Sequence, residues 1–324
     1  MSAEEVHAVD PDGDALLIVP RTKTSEASVD EDEDSIHFLV SSKHLTLASA
    51  YSKALFSAEW RHGQQLSTCG SVPLRLKNTS HDSETMRIIL NVVHGRQRQV
   101  PFTVSEKLLL KVALATDYFM CGEAMQAWGL YCTKELVGQF PSTYSSRTWT
   151  WIFISYVFGW DSFFRHLTKL VQQSSTEDAY SGSLPIPKWI PDQIFAKRRE
   201  YLEQVFELID ARLEEPLSPT DICNESCDAL KAGTLRKYVR KHQQRSIQDS
   251  PLSFVSAIRT WKNPEHLGMS RSYHIPCASG GLLGLMLETH LDSLSATLSG
   301  IEGLPKPKDD ESHSFLAQSS FSPA

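Results

Sequence analysis

The chain has 324 residues, 41% of them hydrophobic, which is enough to bury one large core or two moderate cores. Its formal net charge of −7 excludes a global positive field that would attract nucleic acid or an anionic membrane. The six cysteines are scattered along the chain, which indicates a reducing compartment rather than a disulfide scaffold.

The apolar runs are too short for a membrane helix. The longest run, from Trp149 to Trp160, falls short of the about 20 residues that a spanning helix needs. The first residues are acidic and contain no apolar run, so we expect no signal peptide. We therefore expect an intracellular protein, cytoplasmic or nuclear, without a membrane partner.

The N-terminal segment predicts a turn followed by a strand. Residues 1–9 are expected to be flexible, and the turn Asp10–Asp14 leads into the apolar run Ala15–Val19. The alternating aspartates are reminiscent of a calcium loop. In such a loop the glycine follows the third acidic ligand and a glutamate ends the loop, whereas Gly13 lies between ligands and Arg21 stands at the end. A solvated turn is the interpretation that remains.

A change of hydrophobic period follows at residues 36–60. The segment Ile36–Val40 alternates between apolar and opposite-facing residues, as a half-buried strand does. The apolar residues then recur at helical spacing on both sides of Ser49, which is a good N-cap residue. This pattern predicts a strand that leads into two very short helices.

The next segment predicts a loop and an edge strand. Arg61–Gln65 contains a glycine and is predicted to be a loop. The segment Val72–Leu76 alternates as a third strand, and Pro73 favours a position at the edge of the sheet because it lacks a backbone N–H.

Helices are predicted from there to residue 136. One is capped by Asp82 or Ser83 and stopped by Gly95, and the next begins after Ser105. A break at residues 121–122 starts a further amphipathic helix.

The order and spacing of these segments carry a resemblance to a known family. The residues that match are Lys43, His44, Leu45, Ser49, Tyr51, Leu55, Phe56 and Trp60, then Glu84, Met86, Ile89, Leu90, Val93, His94, Val100 and Pro101, then Leu108, Leu109, Ala115, Asp117, Tyr118, Ala124, Trp128 and Leu136. In this pattern residues 10–138 resemble a BTB/POZ domain, most closely its fungal members. The resemblance implies an α+β fold, a helical cluster with a small three-stranded sheet.

The same resemblance implies a role in protein–protein interaction. Family members commonly form homo- or heterodimers through the first helices and the N-terminal segment. Some recruit cullin-type ubiquitin ligases through an apolar-x-Glu/Asp motif after the second helix. This chain departs from that pattern, since no acidic residue lies between Trp60 and His81.

The remainder is predicted to be mainly α-helical. We divide it into a helical extension and a linker, then a helical C-terminal region and a disordered tail, at residues 139–173, 174–188, 189–301 and 302–324. A helix starting near Pro191 and reaching Leu213 carries one apolar stripe. That stripe suits docking within the chain or onto a partner protein.

Two features of the C-terminal region offer a further alternative. Cys223, Cys227, His274 and Cys277 form two ligand pairs of the type that zinc uses, but the pairs are far apart in the sequence and ordinary half-buried cysteines are the favoured interpretation. The basic stretch 235–245 could contact nucleic acid or serve as an import signal. It has no interleaved aromatic residues and no recognisable DNA-binding motif, so we favour a solvated helix face and do not expect a nucleic-acid partner. Together they would describe a zinc-stabilised nuclear regulator.

No recognised catalytic motif is present in the sequence: it has no nucleophile elbow, no phosphate-binding loop and no zinc-protease motif. We therefore predict no catalytic, cofactor-binding or metal-binding residues, no cofactor and no enzyme activity. The function predicted is an adaptor or scaffold that binds proteins and self-associates through the N-terminal domain. The alternatives are a ubiquitin ligase substrate adaptor and the nuclear regulator.

Overall fold

The structure, a computed structural model, describes residues 6–20, 35–76, 82–136, 138, 140–175, 180–214, 229, 233, 303 and 304. The strands are β1 (Val6–Ala8), β2 (Ala15–Pro20), β3 (Ser35–Val40) and β4 (Val72–Arg75). The helices are α1 (Ser42–Ala48), α2 (Ala50–Leu55), α3 (Arg61–Cys69), α4 (Ser83–Val93), α5 (Glu106–Tyr118), α6 (Gly122–Leu136), α7 (Ser146–Phe158), α8 (Asp161–Ser174) and α9 (Trp189–Glu214).

The chain divides into two units, and it passes from one to the other three times, once within α7. The first unit comprises Met1–Phe140 and Thr150–Asp161, and the second comprises Pro141–Trp149 and Ser162–Ala324. The described part of the chain is thus an α+β fold in which helices predominate. Within that part, no helix combines the length and the hydrophobicity needed to cross a bilayer.

The first unit contains a four-stranded sheet in the order β1-β3-β2-β4. β2 and β3 are antiparallel, and β4 runs parallel to β2. Ala15, Leu17 and Val19 alternate with more exposed residues, so one face of the sheet is buried. β4 lies at an edge of the sheet, as the proline at position 73 indicated.

The prediction of three strands and of a flexible segment 1–9 needs correction at β1. Val6–Ala8 pairs in parallel with β3, and the ring of His7 stacks on Phe38 with a centroid distance of 5.6 Å. The backbone makes this pairing, and three residues are too few to show a hydrophobic period. The sequence therefore gave no sign of the fourth strand.

The predicted helix caps are found in the structure. The side chain of Ser49 accepts from the N–H of Ser52, and that of Asp82 accepts from the N–H of Thr85. Ser105 caps α5 in the same way. Gly95 has a φ of +71°, a conformation that suits glycine, directly after α4 has ended.

Residues 61–65, predicted to be a loop, form the start of α3. Gly63 is buried, and a Cβ there would lie 2.0 Å from the carbonyl oxygen of Ser57. The glycine therefore lets the preceding turn pack against the helix rather than breaking it. α3 ends at Gly70, whose φ of +69° is typical of a helix C-terminus.

The second unit has its own aromatic and polar core. Trp149 lies with its ring centroid 4.7 Å from that of Tyr180. Arg198 is almost fully buried in α9 and donates from Nε to the carbonyl oxygen of Ser175 at 3.1 Å. This bond gives a buried charge a polar partner, as burial of a charge requires.

The predicted disordered tail 302–324 needs correction at its start. Leu304 is fully buried, and its N–H donates to Oγ1 of Thr168 at 2.9 Å. Gly303 lies so close to the backbone of Arg165 that a Cβ would overlap it. The prediction for the rest of the tail lies outside the described residues.

Candidate interaction surface

The first helices carry the most exposed large apolar side chain in the described part of the chain. Leu47 on α1 is 88% exposed, whereas Leu45, two residues earlier, is buried. Ser41 and Ser49 cap α1 and α2, and this fixes both short helices at their N-termini. A protein partner that covered Leu47 would remove this apolar side chain from water.

An aromatic cluster lies beside these helices, where α2 meets the end of α5. The ring of Tyr51 lies 5.5 Å from that of Tyr118 and 5.6 Å from that of Phe119, the latter edge-on. Tyr118 remains 39% exposed. Burial, together with the neighbouring Tyr118, raises the pKa of Tyr51 to about 12, so that its hydroxyl keeps its proton at neutral pH.

The end of α5 is held in place by backbone geometry and by Ser49. Ser49 Oγ donates to the carbonyl oxygen of Phe119 at 2.5 Å, so the cap of α2 also anchors α5. Met120 has a φ of 52°, which turns the chain from α5 into α6. We call Leu47, Tyr51 and Tyr118 the first-helix surface.

A small apolar cavity lies under α1 and α2. Its volume is about 30 Å³, and its lining includes Leu17, Leu45, Met86 and Phe119. Pockets that hold drug-sized ligands have volumes of about 300–1,000 Å³. This cavity is therefore a packing gap, and the exposed surface above it is the better candidate for contact with another molecule.

The turn before β2 anchors the start of α1. Asp14 accepts from both the N–H and the hydroxyl of Ser42, at 2.6 and 2.7 Å. Burial alone would raise the pKa of Asp14, but these hydrogen bonds outweigh it and hold the pKa below its ordinary value of 3.8. The predicted turn is therefore present, and its last residue, Asp14, has a structural role because it holds the start of α1.

Two histidines and an aspartate meet next to this anchor. The rings of His44 and His94 lie 5.0 Å apart, and Asp10 completes a group whose potential metal-ligand atoms all lie within 4.8 Å of one another. Three separate segments, the β1–β2 turn, α1 and the end of α4, supply these residues. No spacing in the sequence indicated this group, and we name it the Asp10–His44–His94 cluster.

A second exposed apolar patch lies on α6. Leu130 and Tyr131 are 60% and 55% exposed, and the ring of Phe102 lies 5.2 Å from that of Tyr131. Lys134 Nζ stands 4.7 Å from the centroid of Tyr131, a cation–π distance. This patch therefore combines exposed apolar and aromatic side chains with a cation, and aromatic residues are enriched in interfaces with protein partners.

The zinc ligand pairs considered in the sequence lie outside the described residues, as does the basic stretch 235–245. Those residues are Cys223, Cys227, His274 and Cys277. The described free cysteines are Cys69, which is exposed, and two that are buried. Burial raises the pKa of Cys121 and of Cys132 to about 12, which keeps both thiols protonated and unreactive.

Comparison with known proteins gave no relative: no family model, no curated protein and no solved structure matches the chain.

Proposed function

We propose that the protein is a BTB/POZ-like protein–protein interaction adaptor that self-associates through the first-helix surface and the N-terminal strand. The observation that carries this proposal is the 88% exposure of Leu47 on α1. Removing apolar surface from water contributes favourable free energy to protein–protein association. A second copy that covers Leu47 would supply this energy.

The order of the elements supports the family proposal. A hairpin of β2 and β3 is followed directly by the two short helices α1 and α2, then by α3, by a parallel edge strand and by further helices. The resemblance places dimer contacts in the first helices and the N-terminal segment. Both parts expose apolar residues, since Val6 of β1 is 53% exposed.

The second patch on α6 suits the adaptor role. An adaptor needs a surface for a different partner in addition to the one it uses for self-association. Leu130 and Tyr131 offer such a surface on an element other than α1 and α2. The two surfaces can therefore be tested separately.

Substitution of the two exposed leucines tests the proposal. Leu47→Glu places a charge where the second copy would bury an apolar side chain, and we expect it to weaken self-association of the full chain at least tenfold. Leu130→Glu is the matched control, because it makes the same chemical change at a similarly exposed helical position. Sedimentation equilibrium of both variants measures the effect. Equal association of Leu47→Glu and the unmodified chain would contradict the proposed surface.

A further inference from the structure

The Asp10–His44–His94 cluster has a metal-site composition that neither the sequence motifs nor the proposed function uses. It offers two imidazole nitrogens and one carboxylate oxygen, a donor set suited to zinc and related divalent transition metals. Catalytic zinc sites likewise have three protein ligands and leave one position open. The donor set is therefore one that a metal ion of this class can use.

The orientation of His94 matches that of a metal-ligating histidine. Its Nδ1–H donates to the carbonyl oxygen of Leu90 at 2.8 Å, one turn earlier in α4. Metal-ligating histidines usually donate their second ring N–H to a carbonyl or carboxylate in this way, which fixes the tautomer. Nε2 therefore carries its lone pair towards α1, where it accepts from the N–H of Ser41 at 3.0 Å.

The charge state of His94 is also suitable. Burial lowers the pKa of this imidazole below its ordinary value of 6.5, and nearby His44 acts in the same direction. The ring is therefore neutral at pH 7, as a ligand must be. His44 is exposed and Asp10 half-buried, so both side chains have room to adjust.

We propose that Asp10, His44 and His94 bind a divalent transition metal of the zinc class, with water in the remaining position. Tetrahedral ligand atoms lie roughly 3.4 Å apart, given metal–ligand distances of about 2.0–2.1 Å. The ligand atoms of the cluster lie within 4.8 Å of one another, so closure requires only small side-chain movements. This site does not depend on self-association or on the resemblance to a family.

Binding requires one exchange at His94. The lone pair of Nε2 can either accept the hydrogen bond from the Ser41 N–H or coordinate the metal. Coordination therefore breaks this hydrogen bond, and the Ser41 amide then donates to water. The site is therefore weaker than a structural zinc site with four protein ligands. The exchange also gives the proposal a local signature, because the amide of Ser41 loses its acceptor when metal binds.

The experiment titrates the full chain with Co²⁺, followed by visible absorption, and then displaces the Co²⁺ with Zn²⁺. His44→Ala removes an exposed ligand, and Asp10→Asn removes a charge while keeping the side-chain oxygen that accepts from the N–H of Asp12. His166→Ala, at an exposed position on α8, is the matched control. His94 is left unchanged because its two backbone hydrogen bonds support the fold.

We expect the unmodified chain and His166→Ala to bind one equivalent of Co²⁺ with the absorption spectrum of nitrogen and oxygen ligands. His44→Ala and Asp10→Asn should bind this equivalent at least tenfold more weakly. Any metal held by cysteines adds a separate equivalent with thiolate charge-transfer bands, which these variants leave unchanged. The proposal would be overturned if the unmodified chain bound no Co²⁺ through nitrogen and oxygen ligands. It would also be overturned if all the variants bound Co²⁺ equally well.

Discussion

Removal of the Asp82 side chain should loosen α4 from α5. Asp82 is 6% exposed, accepts from the N–H of Thr85 at 2.9 Å and forms an ion pair with Lys111 of α5. An N-cap contributes about 1 kcal/mol to the free energy of unfolding. The ion pair adds about 1 kcal/mol, a discounted value because the Lys111 side chain is 32% exposed. We therefore expect Asp82→Ala to cost about 2 kcal/mol.

Amide hydrogen exchange of the full chain measures this cost locally, without assuming that both units unfold together. A loss of about 2 kcal/mol predicts exchange on the order of thirtyfold faster in the buried turns of α4. Ser105→Ala is the matched control, because Ser105 caps α5 but forms no ion pair through its hydroxyl. The reasoning is refuted if Asp82→Ala accelerates exchange in α4 no more than Ser105→Ala does in α5.

The contribution of Asp82 has a defined pH dependence. Burial alone would raise the pKa of this carboxyl, but Lys111 and the Thr85 N–H outweigh burial and lower the pKa below 3.8. The stabilisation is therefore complete well above pH 3.8 and is lost as the pH falls through the lower pKa of the folded state. Asp82→Asn, which keeps a capping oxygen, should remove this part of the acid sensitivity.

Two further predictions concern the first unit. Burial raises the pKa of the Asp117 carboxyl from 3.8 to about 6. The carboxyl therefore has no effect on stability below pH 3.8, and it destabilises the folded state increasingly as the pH rises from 3.8 to about 6. Asp117→Asn should therefore stabilise the protein by about 1–3 kcal/mol at pH 7 and by much less at pH 4, as measured by urea unfolding. An equal gain at both pH values would contradict the raised pKa of Asp117 as the cause. Gly63→Ala should speed amide exchange in α3 by more than tenfold, since its Cβ would lie 2.0 Å from the Ser57 carbonyl oxygen. Gly70→Ala, where a Cβ meets nothing but φ is +69°, should cost only about 1 kcal/mol, and an equal effect of the two substitutions would refute the packing argument.

Local chemistry made much of the first unit predictable. A turn followed by an apolar run located β2, and alternation located β3 and β4. The capping residues Ser49, Asp82 and Ser105 marked the starts of their helices. These signals depend on neighbours within one segment. The same is true of Pro73, which placed β4 at an edge because it lacks a donor.

The features that were missed depend on contacts between separate segments rather than on the pattern within one segment. β1 forms by backbone pairing with β3, and α3 tolerates Gly63 because a turn packs against it. Leu304 is buried through a hydrogen bond to Thr168, more than a hundred positions earlier. The Asp10–His44–His94 cluster arises where a turn, a helix start and a helix end meet. A single sequence shows none of these pairings, because none of them leaves a periodic pattern.

The mass of the full chain in solution tests the central claim most directly. Light scattering over a dilution series should give twice the monomer mass of 36.4 kDa, and this mass should not change on dilution. Such a dimer would agree with self-association through the first-helix surface and the N-terminal strand. A mass of 36.4 kDa at every concentration would contradict self-association.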